Sequence, residues 1–171
     1  VDMLLARLQE TEHDKETTIE GGVARYAKKR ARHPSDRDWP TPEEAFFTPP
    51  VDHGKTRVFL KVQEGCDAFC TYCIIPYARG PARNLRPIDL VKQVRQVVAE
   101  GAKEVVLTGT ALGDYGADLP DGVGFEELLR LLLRETPVER LRTSSLDPRE
   151  LSPAIIELLV EEERLCPHVH V

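Results

Sequence analysis

The sequence predicts an α/β fold of parallel strands joined by helical crossovers, and three observations carry that prediction. Short apolar runs at Val58–Val62, Glu104–Thr108 and Arg140–Ser144 alternate with longer stretches of helical period. Each helical stretch has its own stop or start signal. The order strand, helix, strand, helix leaves room only for parallel pairing through crossovers, giving half a barrel or a small open sheet.

In chain order, residues 1–50 come first as a separate segment. Leu4, Leu5 and Leu8 suit one face of a short helix, and Gly21-Gly22 interrupts whatever precedes it. Arg25, Lys28, Lys29, Arg30, Arg32 and Arg37 form a basic run, readable as a phosphate-contacting arm or as a solvated helix face. Pro34, Pro40, Pro42, Pro49 and Pro50 then break regular structure, so the stretch reads as a linker. Residues 51–171 form the second unit. Val58, Leu60 and Val62 alternate as in a strand. Leu90, Val91, Val94, Val97 and Val98 fall on one helical face that Gly101 terminates. Glu104–Thr108 is a second, buried strand. Phe125, Leu128, Leu129, Leu132 and Leu133 mark a second core-facing helix that ends before Pro137. Arg140–Ser144 is a third strand, and Ser152-Pro153 caps and opens a third helix through Ile155, Ile156, Leu158, Leu159 and Val160. His168–Val171 begins a fourth strand, so the sequence reads as a piece of a longer protein.

The net charge of −6 argues against a surface that binds nucleic acid throughout, while local patches stay open. No run approaches the length of a membrane span. Three of the four cysteines, Cys66, Cys70 and Cys73, stand within eight residues directly after the first strand. Three thiolates on one tight loop can hold three irons of a four-iron four-sulfur (4Fe-4S) cluster and leave the fourth iron open. A structural zinc site is the competing reading, although it usually takes four ligands and no second pair follows. Disulfides need partners that so short a loop rarely offers. Cysteines serving as small buried apolar groups fit poorly beside Glu64, Asp67 and Thr71. Cys166 reads as structural. Clustered thiols without a secretory signal suit a reducing cytoplasm.

In parallel α/β architectures sites lie at the C-terminal ends of the strands. The cysteine loop, Thr108-Gly109-Thr110 and Ser144-Ser145 all fall there. The glycine-rich turn from Thr108 to Gly116 offers backbone groups unshielded by side chains. Ser144 and Ser145 offer hydroxyls, or else form a capping turn ahead of Ser152. Arg79, Arg83 and Arg86 make a second basic cluster beside the cysteine loop.

Cys66-x-x-x-Cys70-x-Tyr72-Cys73 resembles the signature of radical S-adenosylmethionine (SAM) enzymes. The longer string from Gln63-Glu64-Gly65-Cys66 through Cys73-Ile74-Ile75-Pro76-Tyr77-Ala78-Arg79-Gly80-Pro81 resembles the methylthiotransferases of that superfamily, and most of all those that act on threonylcarbamoyladenosine 37 of tRNA. The resemblance implies the N-terminal half of a partial (β/α)6 barrel in residues 51–171, preceded in residues 1–50 by the tail of another domain and a linker. It implies that Cys66, Cys70 and Cys73 hold a 4Fe-4S cluster and that SAM meets Tyr72, Gly109, Thr110, Ser144 and Ser145. Tyr72 would pack near the adenine; a buried loop aromatic is the alternative. Gly109 sits in a stretch similar to the family's Thr-Gly-x-x-Leu-Gly-x-Tyr-Gly, and Ser144-Ser145-Leu146-Asp147-Pro148 is similar to its Ser-Ser-Leu-Glu-Pro.

By the same resemblance the implied partners are the tRNA anticodon loop, SAM and an electron donor such as flavodoxin or ferredoxin, with no membrane. A second 4Fe-4S cluster would belong to a preceding domain. The implied reaction splits SAM reductively and replaces the hydrogen at C2 of the modified adenosine with a methylthio group. Isopentenyladenosine 37 and a ribosomal protein are the rival substrates within the family. A zinc-stabilised RNA-binding module is the rival from another class.

Overall fold

The computed structural model describes residues 38–40, 42–46, 49, 51–52, 55–120 and 122–171. The short helix expected around Leu4–Leu8 and the basic run from Arg25 to Arg37 lie outside the described residues.

A three-stranded parallel sheet forms the centre, from β1 (Arg57–Lys61), β4 (Glu104–Thr108) and β5 (Arg140–Thr143), in the order β1-β4-β5. Arg57 pairs with Glu104 and Glu104 with Arg140, so the three strands run in register from one end. Two further strands, β2 (Gln63–Glu64) and β3 (Arg83–Asn84), pair antiparallel as a small ribbon beyond β1. Neither was legible from periodicity, because two residues are too few to show any period. The helices are α1 (Pro42–Ala45), α2 (Ile75–Arg79), α3 (Pro87–Ala99), α4 (Phe125–Glu135) and α5 (Pro153–Glu161).

The α/β class and the parallel order are as the sequence predicts. Val58 and Leu60 of β1, Val105 and Leu107 of β4 and Leu141 of β5 are buried, and they share one core with Leu90, Val94 and Val97 of α3 and Leu128, Leu129 and Leu132 of α4. Burial of those side chains is the main drive for laying the helices on that face, at about 1.5–3 kcal/mol each. Local signals fix the helix ends. Pro87 begins α3 with a ring that suits the first helical position. Glu127 reaches back to the Gly124 N–H at 2.8 Å, and the Ser152 hydroxyl accepts from the Ile155 N–H at 3.2 Å. Gly101, at φ 107°, ends the α3 crossover in a conformation that favours glycine.

Two expectations need correction. The fourth strand is present only as isolated parallel bridges, Leu141 with Leu165 and Ser145 with His170. Pro167 stands between them without an N–H to donate, so the ladder cannot run through. The proline-rich linker is not wholly irregular either, because Pro42 opens the four-residue helix α1. Cys166 is buried, as a structural cysteine should be, with Arg140 Nη2 3.5 Å from its sulfur.

The opposite face of the sheet is mixed, with Phe59 58% exposed beside the buried Val106. At its far end the buried Glu104 carboxylate meets Arg57 at 2.8 Å, Arg142 at 2.7 Å and Arg140 at 3.5 Å. Burial pushes the Glu104 carboxyl up, but the hydrogen bond and charge of Arg142, followed by those of Arg57, outweigh it and hold the pKa below the usual value. A depressed folded pKa gives stability that is complete above the unfolded value, about 4.3, and is lost as pH falls through the folded one. Urea midpoints of the wild type should therefore drop as pH is lowered below about 4, and Glu104→Gln should flatten that part of the slope.

Candidate metal centre

The cysteine loop leaves the C-terminal end of β1 and is shaped by glycine. Gly65 has φ 75°, and a Cβ there would collide with the Pro81 and Gly80 carbonyl oxygens. That close approach lets the Cys66 N–H donate to the Gly80 oxygen at 3.1 Å, which closes the base of the loop. Cys73 N–H donates to the Cys70 oxygen at 2.9 Å, folding the second and third cysteines into one turn. Between them and Cys66, Phe69 takes φ 47°, a left-handed backbone that side chains disfavour. Its ring meets Tyr77 edge to face at 5.7 Å. Strain of this kind is found where a structure holds functional groups in place.

The three thiols are each partly exposed. Burial pushes the Cys66 thiol up, the Ala68 N–H on its sulfur opposes the rise, and the neighbouring Asp114, Cys73 and Cys70 add to it. Soft, accessible sulfurs on one loop are the donor set an iron–sulfur cluster takes. Among the described residues no three His, Cys, Asp or Glu side chains converge closely enough to hold a metal ion. The donor chemistry of the three thiols fits an iron–sulfur cluster.

The other two strand ends reach the same side. After β4, a one-turn 3-10 helix (Leu112–Asp114) carries Asp114 towards Cys66. After β5, a second such turn (Pro148–Glu150) carries Arg149 towards Cys70. The two turns touch, for a Cβ on Gly113 would run into the Glu150 side chain. The convergence expected from the parallel order is therefore present.

Of the residues expected to meet a cofactor, Gly109 and Thr110 lie in the first of these loops. Among the described residues the buried Thr110 hydroxyl oxygen has no hydrogen-bond partner, and a polar ligand could supply one. Its N–H is not free, because it donates to Gln63 Oε1 at 2.7 Å, as does the Ala111 N–H at 2.9 Å. The turn is thus less open than the sequence suggests. Ser144 N–H donates to the Leu107 oxygen at 3.0 Å, and the Ser145 hydroxyl lies 2.7 Å from His170 Nδ1. The capping role is taken instead by Asp147 and Ser152. Arg149 grips Asp147 through two contacts of 2.9 Å and holds its pKa down to about 2. Tyr72 is 90% exposed, which rules out a buried loop aromatic.

Sequence reading missed the charged groups Asp114, Asp147 and Arg149 of the two turns, of which Asp147 and Arg149 pair within one turn. The spacing of Asp147-Pro148-Arg149-Glu150, an acidic residue three positions after a capping residue, was the available signal. The basic cluster expected beside the loop is spoken for. Arg79 pairs with Glu64 at 3.4 Å, Arg83 donates to the Pro40 and Arg79 oxygens, and Arg86 pairs with Asp89 at 2.6 Å. Among the described residues no helix is long and apolar enough to cross a membrane.

Comparison with known proteins decides the family. The sequence profile of the Radical SAM superfamily matches residues 60–171. The chain belongs to the radical SAM superfamily. It is 43% identical over 119 residues to the threonylcarbamoyladenosine tRNA methylthiotransferase MtaB of Rickettsia prowazekii (strain Madrid E), covering 69% of this chain and 28% of that protein. The MtaB of Aquifex aeolicus (strain VF5) is 45% identical over 115 residues, covering 67% of this chain and 28% of that protein. The tRNA-2-methylthio-N(6)-dimethylallyladenosine synthase of Clostridium tetani (strain Massachusetts / E88) is 37% identical over 134 residues, covering 78% of this chain and 30% of that protein. This radical SAM chain therefore spans less than a third of the length of these relatives.

Proposed function

We propose that the protein carrying this chain is a radical SAM methylthiotransferase that installs a methylthio group on N6-threonylcarbamoyladenosine 37 of tRNA. The observation that carries this reading is the 43% and 45% identity to two MtaB proteins over a stretch that includes the cysteine loop. In it Cys66, Cys70 and Cys73 hold a 4Fe-4S cluster, which when bound supplies the electron for reductive cleavage of SAM.

The residues of the chain bind and orient. Thr110 offers its buried hydroxyl to SAM, Gly109 keeps the turn free of a side chain, and Ser144 and Ser145 add polar groups from the third strand end. Exposed Tyr72 offers a flat face to the adenine. Residues 51–171 are the first part of the barrel, and residues 1–50 connect it to a preceding domain that holds the second cluster. The tRNA anticodon loop and a small electron-donor protein such as flavodoxin or ferredoxin are the partners, in the cytoplasm.

A second reading within the family, action on isopentenyladenosine 37, is favoured by the 37% identity to the dimethylallyladenosine synthase of Clostridium tetani. Deleting the gene and analysing tRNA nucleosides by mass spectrometry tests both. Loss of the methylthio group from threonylcarbamoyladenosine, restored by the intact gene, is the expected result. Loss confined to isopentenyladenosine would overturn the first reading in favour of the second.

A further inference from the structure

Gln63 is fully buried and ties two of the converging loops together. It follows β1 by two residues and lies immediately ahead of the cysteine loop, so its backbone belongs to the ribbon strand β2. Its side chain does something different. The amide oxygen accepts the N–H groups of both Thr110 and Ala111, at 2.7 and 2.9 Å. The amide nitrogen donates to the Gly65 oxygen at 2.8 Å and, more weakly, to the Glu64 oxygen at 3.4 Å. A single planar group thus clamps the turn after β4 to the residue that precedes Cys66. A Cβ on Gly109 would press against the Gln63 stem and Leu112, so the two loops meet with no space between them.

We infer that Gln63 is a positioning residue that fixes the distance and register between the cysteine loop and the Gly109–Thr110 turn, and thereby matches the metal centre to the SAM-binding turn. The inference rests on the reading of the two loops given above. Its physical basis is that a buried carboxamide with both ends bonded has one orientation, and no other side chain reproduces both halves. Glutamate keeps the acceptor for Thr110 and Ala111 but sets a carboxylate against the Gly65 carbonyl. Methionine has similar length and neither half of the clamp.

The experiment uses the full-length protein, reconstituted anaerobically, with Gln63→Glu and Gln63→Met beside the wild type. Iron per chain, the Kd for SAM and the change in the electron paramagnetic resonance spectrum of the reduced cluster on adding SAM are measured, with circular dichroism as the check on folding. The wild type shows the SAM-induced spectral change; a wild type without iron would overturn the reading of the site itself. Gln63→Glu should keep its fold and iron while its Kd for SAM rises about tenfold, the order expected when one or two loop-anchoring hydrogen bonds are lost. Its spectral change should be smaller or altered in shape. Gln63→Met should show the larger effect on both readouts. A folded, iron-loaded Gln63→Glu whose affinity and spectral change match the wild type would overturn the inference, and so would equal loss of iron and fold in both variants, which would mark Gln63 as a packing residue only.

Discussion

Replacing Cys66, Cys70 or Cys73 with alanine should each remove about four of the roughly eight irons that two such clusters give the full-length protein after anaerobic reconstitution. SAM cleavage should fall by more than about a hundredfold, because even losses outside the ligand shell of metal sites cost 10–100-fold. The three variants should behave alike, since a cluster held at three corners does not survive on two. Cys166→Ala is the contrast. Its sulfur is buried against Arg140 on the far side of the sheet, so iron and cleavage should stay at wild-type levels while stability falls slightly. Colorimetric iron assay and chromatographic detection of 5′-deoxyadenosine supply the two measurements. Zinc in place of iron, in a colourless protein that binds RNA, would favour the rival module.

Gly65→Ala should be the most damaging substitution outside the cysteines. A left-handed backbone costs a non-glycine residue about 1–3 kcal/mol. Here the new methyl would also meet two carbonyl oxygens that are fixed in the backbone, those of Pro81 and Gly80. Neither can swing aside as a flexible side chain would. The loop base must therefore open, which costs the Cys66 N–H its bond to Gly80 and Gln63 its bond to Gly65. A Tm lower by about 5 °C or more, with sharply reduced iron loading, is expected. Gly101→Ala separates strain from collision, because its φ of 107° is also positive but no described residue stands within 4 Å of a Cβ there. It should lower Tm and leave iron loading intact.

The parts of this molecule that were legible in the sequence are those governed by period and by local chemistry. Val58, Leu60 and Val62 alternate because one face of β1 is buried. Phe125 to Leu133 repeat at helical spacing because α4 lies along the core. The cysteine spacing stands out because thiols at such intervals have few other uses. What stayed hidden depends on contacts distant in sequence. The β2–β3 ribbon joins Gln63 to Asn84 across the whole cysteine loop, with two residues a side. Arg79, Arg83 and Arg86 look alike in the sequence, yet each has a different internal partner once folded. Asp114 and Arg149 reach the same side as the loop only because β4 pairs with β1, and β5 with β4, in parallel.

Trp39, the single tryptophan of the chain, stands where a Cβ on Gly80 would enter its ring, and Arg83 lies 5.9 Å from the ring centroid. Gly80 in turn receives the Cys66 N–H, so the indole is two contacts away from the first sulfur. Its ultraviolet emission is therefore a native optical gauge of the site: a chromophore that absorbs in the near ultraviolet and visible would dim it by energy transfer, and titration of metal could be followed in a fluorimeter without attaching any dye.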